Sequence, residues 1–177
     1  MGWVFDRCNG DDPQDSIDIL NAVIALIGDI DPIAVDFDIP SQMIAWLLSM
    51  GNRIFLNEEP AIAHRDLDFA TDVPLLPGYD DDGTSGGNVM YRLREGIERY
   101  LITDIFNPAA SARAQSEIYV MWDILSTEAS SFNHIPGGSN VLYMDGHCEF
   151  QRYEPNGDAP VNGGTAITLG VLATLSL

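Results

Sequence analysis

An Asp-Gly pair between two β-prone segments constrains the fold of this chain more than any other feature. Residues 140–144 are apolar and β-prone, residues 147–153 alternate in polarity, and Asp145-Gly146 lies between them. Asp-Gly in this position is the strongest short-range signal for a β-hairpin, because a type I′ turn needs positive φ at both central residues. A Pro-Gly-Gly turn at residues 136–138 precedes the first strand. The sequence therefore predicts an antiparallel hairpin near the C-terminus.

The charge of the chain excludes several classes of partner. Among 177 residues, 27 are acidic and 8 are basic, all of them arginine, so the formal net charge is −19. Nucleic acids and anionic membrane surfaces attract cationic proteins, so neither is an expected partner. The charge is compatible with divalent cations and with solubility outside the cell. No run of about 18 apolar residues occurs, so we predict no membrane-spanning helix.

The N-terminal third of the sequence predicts two helices and a strand. Apolar residues recur at helical spacing over residues 17–27, with Gly28 as the stop. Residues 33–39 alternate between apolar and mostly acidic side chains, which is typical of a half-buried strand. Residues 42–50, which include Trp46 and Leu47, form a helix that is apolar over most of its surface. We expect this second helix to be either deeply buried or a contact between subunits.

These elements predict an α+β fold, in which N-terminal helices pack on a small antiparallel sheet that contains the hairpin and residues 118–122. The globular domain is expected at residues 1–153 and a Pro- and Gly-rich linker at residues 154–164. The uncharged tail at residues 165–177 is either a final strand of the same domain or a segment that docks on a neighbouring subunit. Its candidate interface side chains are Ile167, Leu169, Val171 and Leu172.

A cluster of acidic residues indicates a candidate calcium site. Asp80, Asp81 and Asp82 are followed by Gly83, Thr84 and Ser85, which places carboxylates and hydroxyls on a Gly-rich loop. Calcium prefers oxygen ligands in adaptable geometry, although the spacing does not match an EF-hand. The alternative is a solvated loop without an ion. No other cofactor is predicted.

The cysteines and histidines do not form a recognisable catalytic pattern. Cys8 and Cys148 either form a disulfide that closes a long loop, or Cys148 packs as a small hydrophobe. A zinc site at His134, Asp145, His147 and Cys148 is disfavoured, because His147 and Cys148 point to opposite sides of a strand. No orienting group for a Cys-His pair, no oxyanion hole and no phosphate-binding loop can be identified. We therefore expect that the protein is not an enzyme.

The segment FNHIPGGSNVLYMDGHCEFQR at residues 132–152 resembles the C-terminal signature of the prepilin-like family, and planctomycete-type pseudopilins are the most similar. In that signature a histidine, nine residues and Asp-Gly follow one another, whereas ten residues separate His134 from Asp145 here. Residues 91–126 resemble the segment that precedes the signature. The signature residues in this chain are His134, Gly137, Gly138, Asp145, Gly146 and His147.

This resemblance implies a pilin-like C-terminal hairpin and a structural role. The chain is expected to be a pilin- or pseudopilin-like subunit of an extracellular filament, assembled from copies of itself or with other pilin-like subunits. It is expected outside the cell, at the cell surface or in the periplasm. The alternative is a soluble, calcium-dependent extracellular binding module with the same hairpin. We expect His134 to bond across the turn to backbone or to Asp145.

The N-terminus departs from this family. Its members begin with a short basic leader and a long apolar helix, and the first residues of this chain match neither. The chain is therefore expected to be either a processed or truncated product, or a member that lacks the anchor.

Overall fold

The computed structural model describes most of the chain. The described residues are 3–9, 11–27, 32–34, 38–53, 68–71, 78–97, 115–125, 134 and 137–174. Within them the fold is α+β, with helices and small antiparallel sheets. The predicted fold class is therefore confirmed.

Both predicted N-terminal helices are present. Helix α1 spans Ile17–Ile27, and Leu20 and Ile24 on its inner face are almost completely buried. Helix α2 spans Ser41–Gly51, and every one of its residues is buried within this chain. A helix that is apolar around most of its circumference has to be covered on all sides, and α2 is covered by the rest of its own fold.

Aromatic side chains pack around Trp46 on α2. The Trp46 ring lies 5.8 Å from the Trp3 ring and 5.6 Å from the Phe5 ring, and Trp3 also contacts Phe69 at 5.7 Å. Leu47 is 1% exposed on the same helix. Trp46 and Leu47, predicted as interface residues, therefore lie in the core of the chain.

The predicted strand at residues 33–39 is shorter than expected. Strand β1 (Gln14–Ser16) pairs with β2 (Asp38–Pro40), and residues 35–37 lie outside the described part of the chain. At Ile33 the backbone does not enter a strand, because the Asn21 side chain bonds both its N–H and its C=O, at 2.8 and 3.1 Å. A side-chain amide on α1 thus takes the place of a strand neighbour at this position.

The C-terminal hairpin belongs to a three-stranded sheet. Strands β3 (Phe69–Ala70) and β4 (Val89–Met90) first form a separate short pair. Among the described residues, β5 (Tyr119–Trp122), β6 (Gly138–Tyr143) and β7 (Cys148–Arg152) are then arranged in the order β5-β6-β7, all antiparallel. The hairpin and the strand at residues 118–122 are therefore confirmed.

The uncharged tail is a helix, so the strand alternative is wrong. Helix α3 spans Gly163–Thr174. Asn162 precedes it and its Oδ1 accepts a hydrogen bond of 2.9 Å from the Thr165 N–H, which is the geometry of an N-cap. The first turns pack on α2, where Thr165 Oγ1 lies 3.5 Å from Met43 Sδ. This cap and this packing stabilise a helix where β-propensity alone suggested a strand.

The tail residues differ in their burial. Ile167 is 3% exposed and belongs to the core, whereas Leu169 is half-buried. The side chains of Val171 and Leu172 lie outside the described part of the structure. The predicted linker is also partly buried, because Ala159 and Val161 are 4% and 1% exposed.

Candidate functional site

The Asp-Gly turn of the hairpin contains three residues rather than two. Gly146 N–H donates to Tyr143 O at 3.0 Å, and Tyr143 N–H donates to His147 O at 3.0 Å, so the loop is Met144, Asp145 and Gly146. Gly146 has φ +91°, whereas Asp145 does not have positive φ. The predicted type I′ turn is therefore wrong. A three-residue loop needs a left-handed conformation only at its last position, which the glycine supplies.

Asp145 and His147 form a cluster within this turn. Asp145 Oδ1 accepts a hydrogen bond of 3.1 Å from the His147 N–H and lies 2.6 Å from His147 Nδ1. The His147 ring stacks on the Tyr143 ring at a centroid distance of 4.3 Å. The backbone bond from His147, followed by the bond from its side chain, holds the pKa of Asp145 below its ordinary value. Asp145 therefore stabilises the turn itself.

His134 bonds to the Asp123 side chain, so the expected bond to backbone or to Asp145 is wrong. His134 Nε2 lies 2.9 Å from Asp123 Oδ2. Asn140 donates to the same oxygen from its backbone N–H at 3.0 Å and from Nδ2 at 2.9 Å. Asp123 follows β5 directly, so its carboxylate connects the end of β5, the start of β6 and the loop between them. No motif in the sequence points to Asp123, which lies 11 residues before the histidine.

The Asp123 carboxylate is held in its ionised form. Its pKa lies below the ordinary value, first because of the Asn140 backbone N–H, then because of the Asn140 side chain and, to a smaller extent, His134. The cluster remains partly open to solvent, since the side chains of His134 and Asp123 are 46% and 32% exposed. This arrangement can anchor a loop and orient a histidine ring.

Phe150 completes the cluster on the same side of the sheet. The His134 and Phe150 rings are nearly perpendicular, with a centroid distance of 6.0 Å. A Cβ at Gly138 would collide with the Phe150 ring and lie 2.6 Å from Gln151 O, so only glycine fits under this ring. Gly137 precedes it with φ +126°. The signature residues His134, Gly137 and Gly138 are thus brought together, whereas Asp145, Gly146 and His147 form the separate turn cluster.

We define the outer sheet face as Met121, Leu142, Cys148 and Phe150. The register pairs Met121 with Leu142 and Leu142 with Cys148, and it places Phe150 opposite Asn140 in the next row. Met121 is 65% exposed and Phe150 is 54% exposed. The opposite side of the sheet carries the buried Val141. The outer sheet face is therefore an exposed apolar surface on a strongly acidic chain.

Both cysteines are free and Cys148 is exposed, so neither alternative, a disulfide or a packed Cys148, is found. Cys8 is buried, and its Sγ lies 3.4 Å from Gln42 Oε1 on helix α2. Cys148 is exposed on the outer sheet face. One thiol therefore lies in the core and the other faces solvent.

The acidic loop is anchored by a buried carboxylate. Asp6 is 8% exposed, and its oxygens accept hydrogen bonds from Ser85 N–H at 3.0 Å, Ser85 Oγ at 3.0 Å and Gln42 Nε2 at 2.9 Å. Thr84 is 2% exposed. The loop is therefore packed against the N-terminal segment through residues that sequence analysis had not connected with it.

The candidate calcium ligands are arranged along the outside of this loop. Asp80 and Asp81 are exposed, and Asp82 is half-buried with its Oδ1 3.9 Å from Arg7 Nη1. Burial raises the pKa of Asp82, which the charge of Arg7 partly opposes. Within the described residues, no group of three or more metal-ligating side chains is placed to hold an ion.

An apolar groove of about 440 Å³ lies between the sheet and the helices. One wall is formed by consecutive residues at and beyond β5, from Val120 to Ile124. The opposite wall comes from the N-terminal segment, α2 and α3. Its lining residues are Trp3, Phe5, Met43, Trp46, Thr165, Thr168 and Leu169.

Comparisons with protein-family models, curated proteins and solved structures found no match to this chain. Among the described residues, no helix combines the length and the apolar character that crossing a membrane requires. Function therefore has to be inferred from the chain's own residues, of which the outer sheet face, the acidic loop and the apolar groove are the candidates.

Proposed function

We propose that this chain is a structural subunit of a pilin- or pseudopilin-like extracellular filament, assembled through contacts between copies. The observation that carries this proposal is the outer sheet face, where Met121 and Phe150 are 65% and 54% exposed. Exposed apolar side chains on one sheet face of an acidic protein are typical of an interaction surface. The resemblance of residues 132–152 to the prepilin-like signature supports the same role.

Phe150 is suited to be an anchor in such a contact. Its ring rests on Gly138 and against the His134 ring, and His134 is in turn bonded to Asp123. A side chain that is held in place before binding loses little conformational entropy when a partner covers it. Aromatic residues of this kind contribute much of the binding energy at protein interfaces. The signature histidine thus has a structural function, because it positions an exposed aromatic ring.

The net charge sets the conditions for assembly. Copies that each carry −19 repel one another at low ionic strength. Raising the salt concentration from about 0.1 M to about 1 M shortens the screening length from about 10 Å to about 3 Å. We therefore expect filaments to form more readily at high salt or with divalent cations.

Microscopy and sedimentation of the full chain test this proposal. We expect filaments in negative stain and fast-sedimenting species at high salt, and both should disappear in Phe150→Ser. Ile124→Ser is the matched control, since Ile124 is 66% exposed but lies at the apolar groove. Filaments formed equally well by Phe150→Ser, or a chain that stays monomeric at every salt concentration, would contradict the proposal.

A calcium-dependent binding module is the second candidate, and Asp82 favours it. Burial, followed by the carboxylates of Asp15 and Asp81, raises the pKa of Asp82 against the opposing charge of Arg7, so ionising this carboxyl costs more in the folded chain than in the unfolded chain. A bound cation would relieve that cost. In this case millimolar calcium, a range typical of extracellular sites, should raise the melting temperature, and the double variant Asp80→Asn/Asp81→Asn should lose the rise. No rise in the unmodified chain would exclude this candidate.

A further inference from the structure

The apolar groove follows the edge of a strand. Five consecutive residues, from Val120 to Ile124, line the same wall. Side chains alternate between the two faces of a strand, so a wall formed by consecutive residues is the strand's edge rather than one of its faces. Among the described residues, the strand partner of β5 is β6, on the side away from the groove.

The backbone of β5 has groups directed toward this groove. Asp123 N–H donates to Asn140 O, so Asp123 faces β6. Ile118 O also accepts from the N–H of Met144, directly after β6, because a register shift between Tyr119 and Met121 lies between these two contacts. Backbone groups of adjacent residues in a strand point to opposite edges, so those of Trp122 face away from β6. An exposed strand edge of this kind is a template on which an extended peptide can pair.

We propose that the apolar groove binds an extended basic peptide, which adds a strand to the edge of β5 and inserts apolar side chains against Trp46 and Leu169. Strand addition beside a helix-walled groove is an established mode of peptide recognition, in which the backbone gives affinity and alternate side chains give specificity. The volume of about 440 Å³ accommodates a few side chains. This site shares Met121 with the outer sheet face, but it is centred on the edge of β5 and does not depend on the filament proposal.

The negative charge of the protein favours a positively charged peptide. Asp123 is the charged residue among the described residues that line the groove, and its side chain is 32% exposed. The chain as a whole has 27 acidic and 8 basic residues. A cationic segment is attracted to such a surface, whereas a second copy of this chain is repelled at the low salt of the binding experiment. Arginine side chains can also stack on the aromatic residues of the groove.

Two further observations support an occupant at this site. Ile124 and Met121 at the margin of the groove are 66% and 65% exposed, so a bound peptide would cover apolar area that now faces water. Trp46 is 6% exposed, and its Nε1 has no hydrogen-bond partner within the described part of the chain. A buried donor without a partner is costly, and an incoming carbonyl oxygen that reached Nε1 would remove this cost.

The experiment uses a fluorescein-labelled peptide of about seven residues, a typical strand length, in which arginine alternates with leucine and valine. Binding to the full chain is measured by fluorescence polarisation at low salt. Ile124→Ser should weaken binding about tenfold, which corresponds to the loss of one apolar anchor. Phe150→Ser should leave the affinity unchanged, since it lies on the outer sheet face. This pattern is the reverse of the one expected for filament assembly, so the two proposals fail separately.

Peptide chemistry distinguishes strand addition from simple apolar binding. Two peptides are compared, one N-methylated at its odd positions and one at its even positions. In an added strand only every second backbone N–H bonds to β5, so one peptide loses these hydrogen bonds and the other keeps them. The two affinities should therefore differ at least about tenfold. Equal affinities, an undiminished affinity for a peptide with glutamate in place of arginine, or no binding would overturn the proposal. A dimer of the chain that forms through this groove, detected as concentration-dependent sedimentation lost in Ile124→Ser, would also overturn it.

Discussion

Two carboxylates, Asp6 and Asp123, each connect separate elements of this chain by hydrogen bonds, but they differ in solvent exposure. Asp6 connects the acidic loop to helix α2 through bonds to Ser85 and Gln42. Asp123 connects β5 to β6 through bonds to His134 and Asn140. Asp6 is 8% exposed, whereas the Asp123 side chain is 32% exposed. The partners of Asp6 lie 79 and 36 residues away, and those of Asp123 lie 11 and 17 residues away.

This contrast separates stability from function. Gln42 is 1% exposed, so its side-chain donor cannot readily bond to water when the Asp6 carboxylate is lost, and the Asp6 network therefore contributes strongly to the free energy of unfolding. Donors around Asp123 can be solvated, so that cluster contributes little to stability. The Asp123 cluster instead positions side chains, because it holds the His134 ring beside the exposed Phe150. The signature region thus contributes an exposed binding surface, and the Asp6 network contributes stability to the fold.

Replacing Asp6 should have the largest effect. Asp6→Ala leaves the Ser85 N–H without its acceptor and removes one acceptor from the buried Gln42 side chain, so we expect a loss of about 2–4 kcal/mol in the free energy of unfolding. Chemical denaturation measures this loss. Asp80→Ala at an exposed position is the control and should change stability by less than about 0.5 kcal/mol. Similar losses of unfolding free energy in Asp6→Ala and Asp80→Ala would contradict the conclusion that the Asp6 network stabilises the fold.

Gly83 is the second place at which the buried network can be tested. A Cβ there would lie 2.6 Å from three backbone atoms, namely Gly87 O, Val89 N and Val89 O. Backbone cannot easily move aside, so Gly83→Ala should cost about 1–3 kcal/mol. Gly87→Ala is the matched variant, since its nearest contact would be Thr84 O at 3.4 Å. Thermal unfolding should rank Gly83→Ala well below Gly87→Ala, and the reverse order would show that the loop is not held as described.

The smallest effect is expected for Asp123→Asn, and it should depend on pH. The folded state holds the pKa of Asp123 below its ordinary value, so the ionised form is favoured on folding. The stabilisation is complete above the unfolded pKa of about 3.9 and is lost as the pH falls through the folded pKa. The melting temperature of the variant should therefore lie slightly below that of the unmodified chain at neutral pH and converge with it in strong acid. A difference that grows in acid would contradict this assignment.

Sequence patterns predicted those elements whose formation depends on residues close to one another in the chain. Helices α1 and α2 followed from apolar periodicity, and the hairpin followed from Asp145-Gly146 and the flanking strands. Helix α3 was missed because an uncharged segment that is apolar on every side carries no periodic signal, and because the cap at Asn162 was overlooked. The two carboxylate networks were missed for another reason. Their partners are brought together only by the packing of α2 and of β5, which no spacing in the sequence reveals.

Chemical labelling of Cys148 tests most directly whether the outer sheet face is a contact between copies. Cys148 is exposed and free on that face, and Cys8 is buried, so a maleimide reports on a single position in the folded chain. We predict that the labelling rate falls sharply when the salt concentration is raised to the point of assembly, and that it stays constant in Phe150→Ser under the same conditions. Assembled particles in which Cys148 reacts as fast as in the dispersed chain would contradict the account.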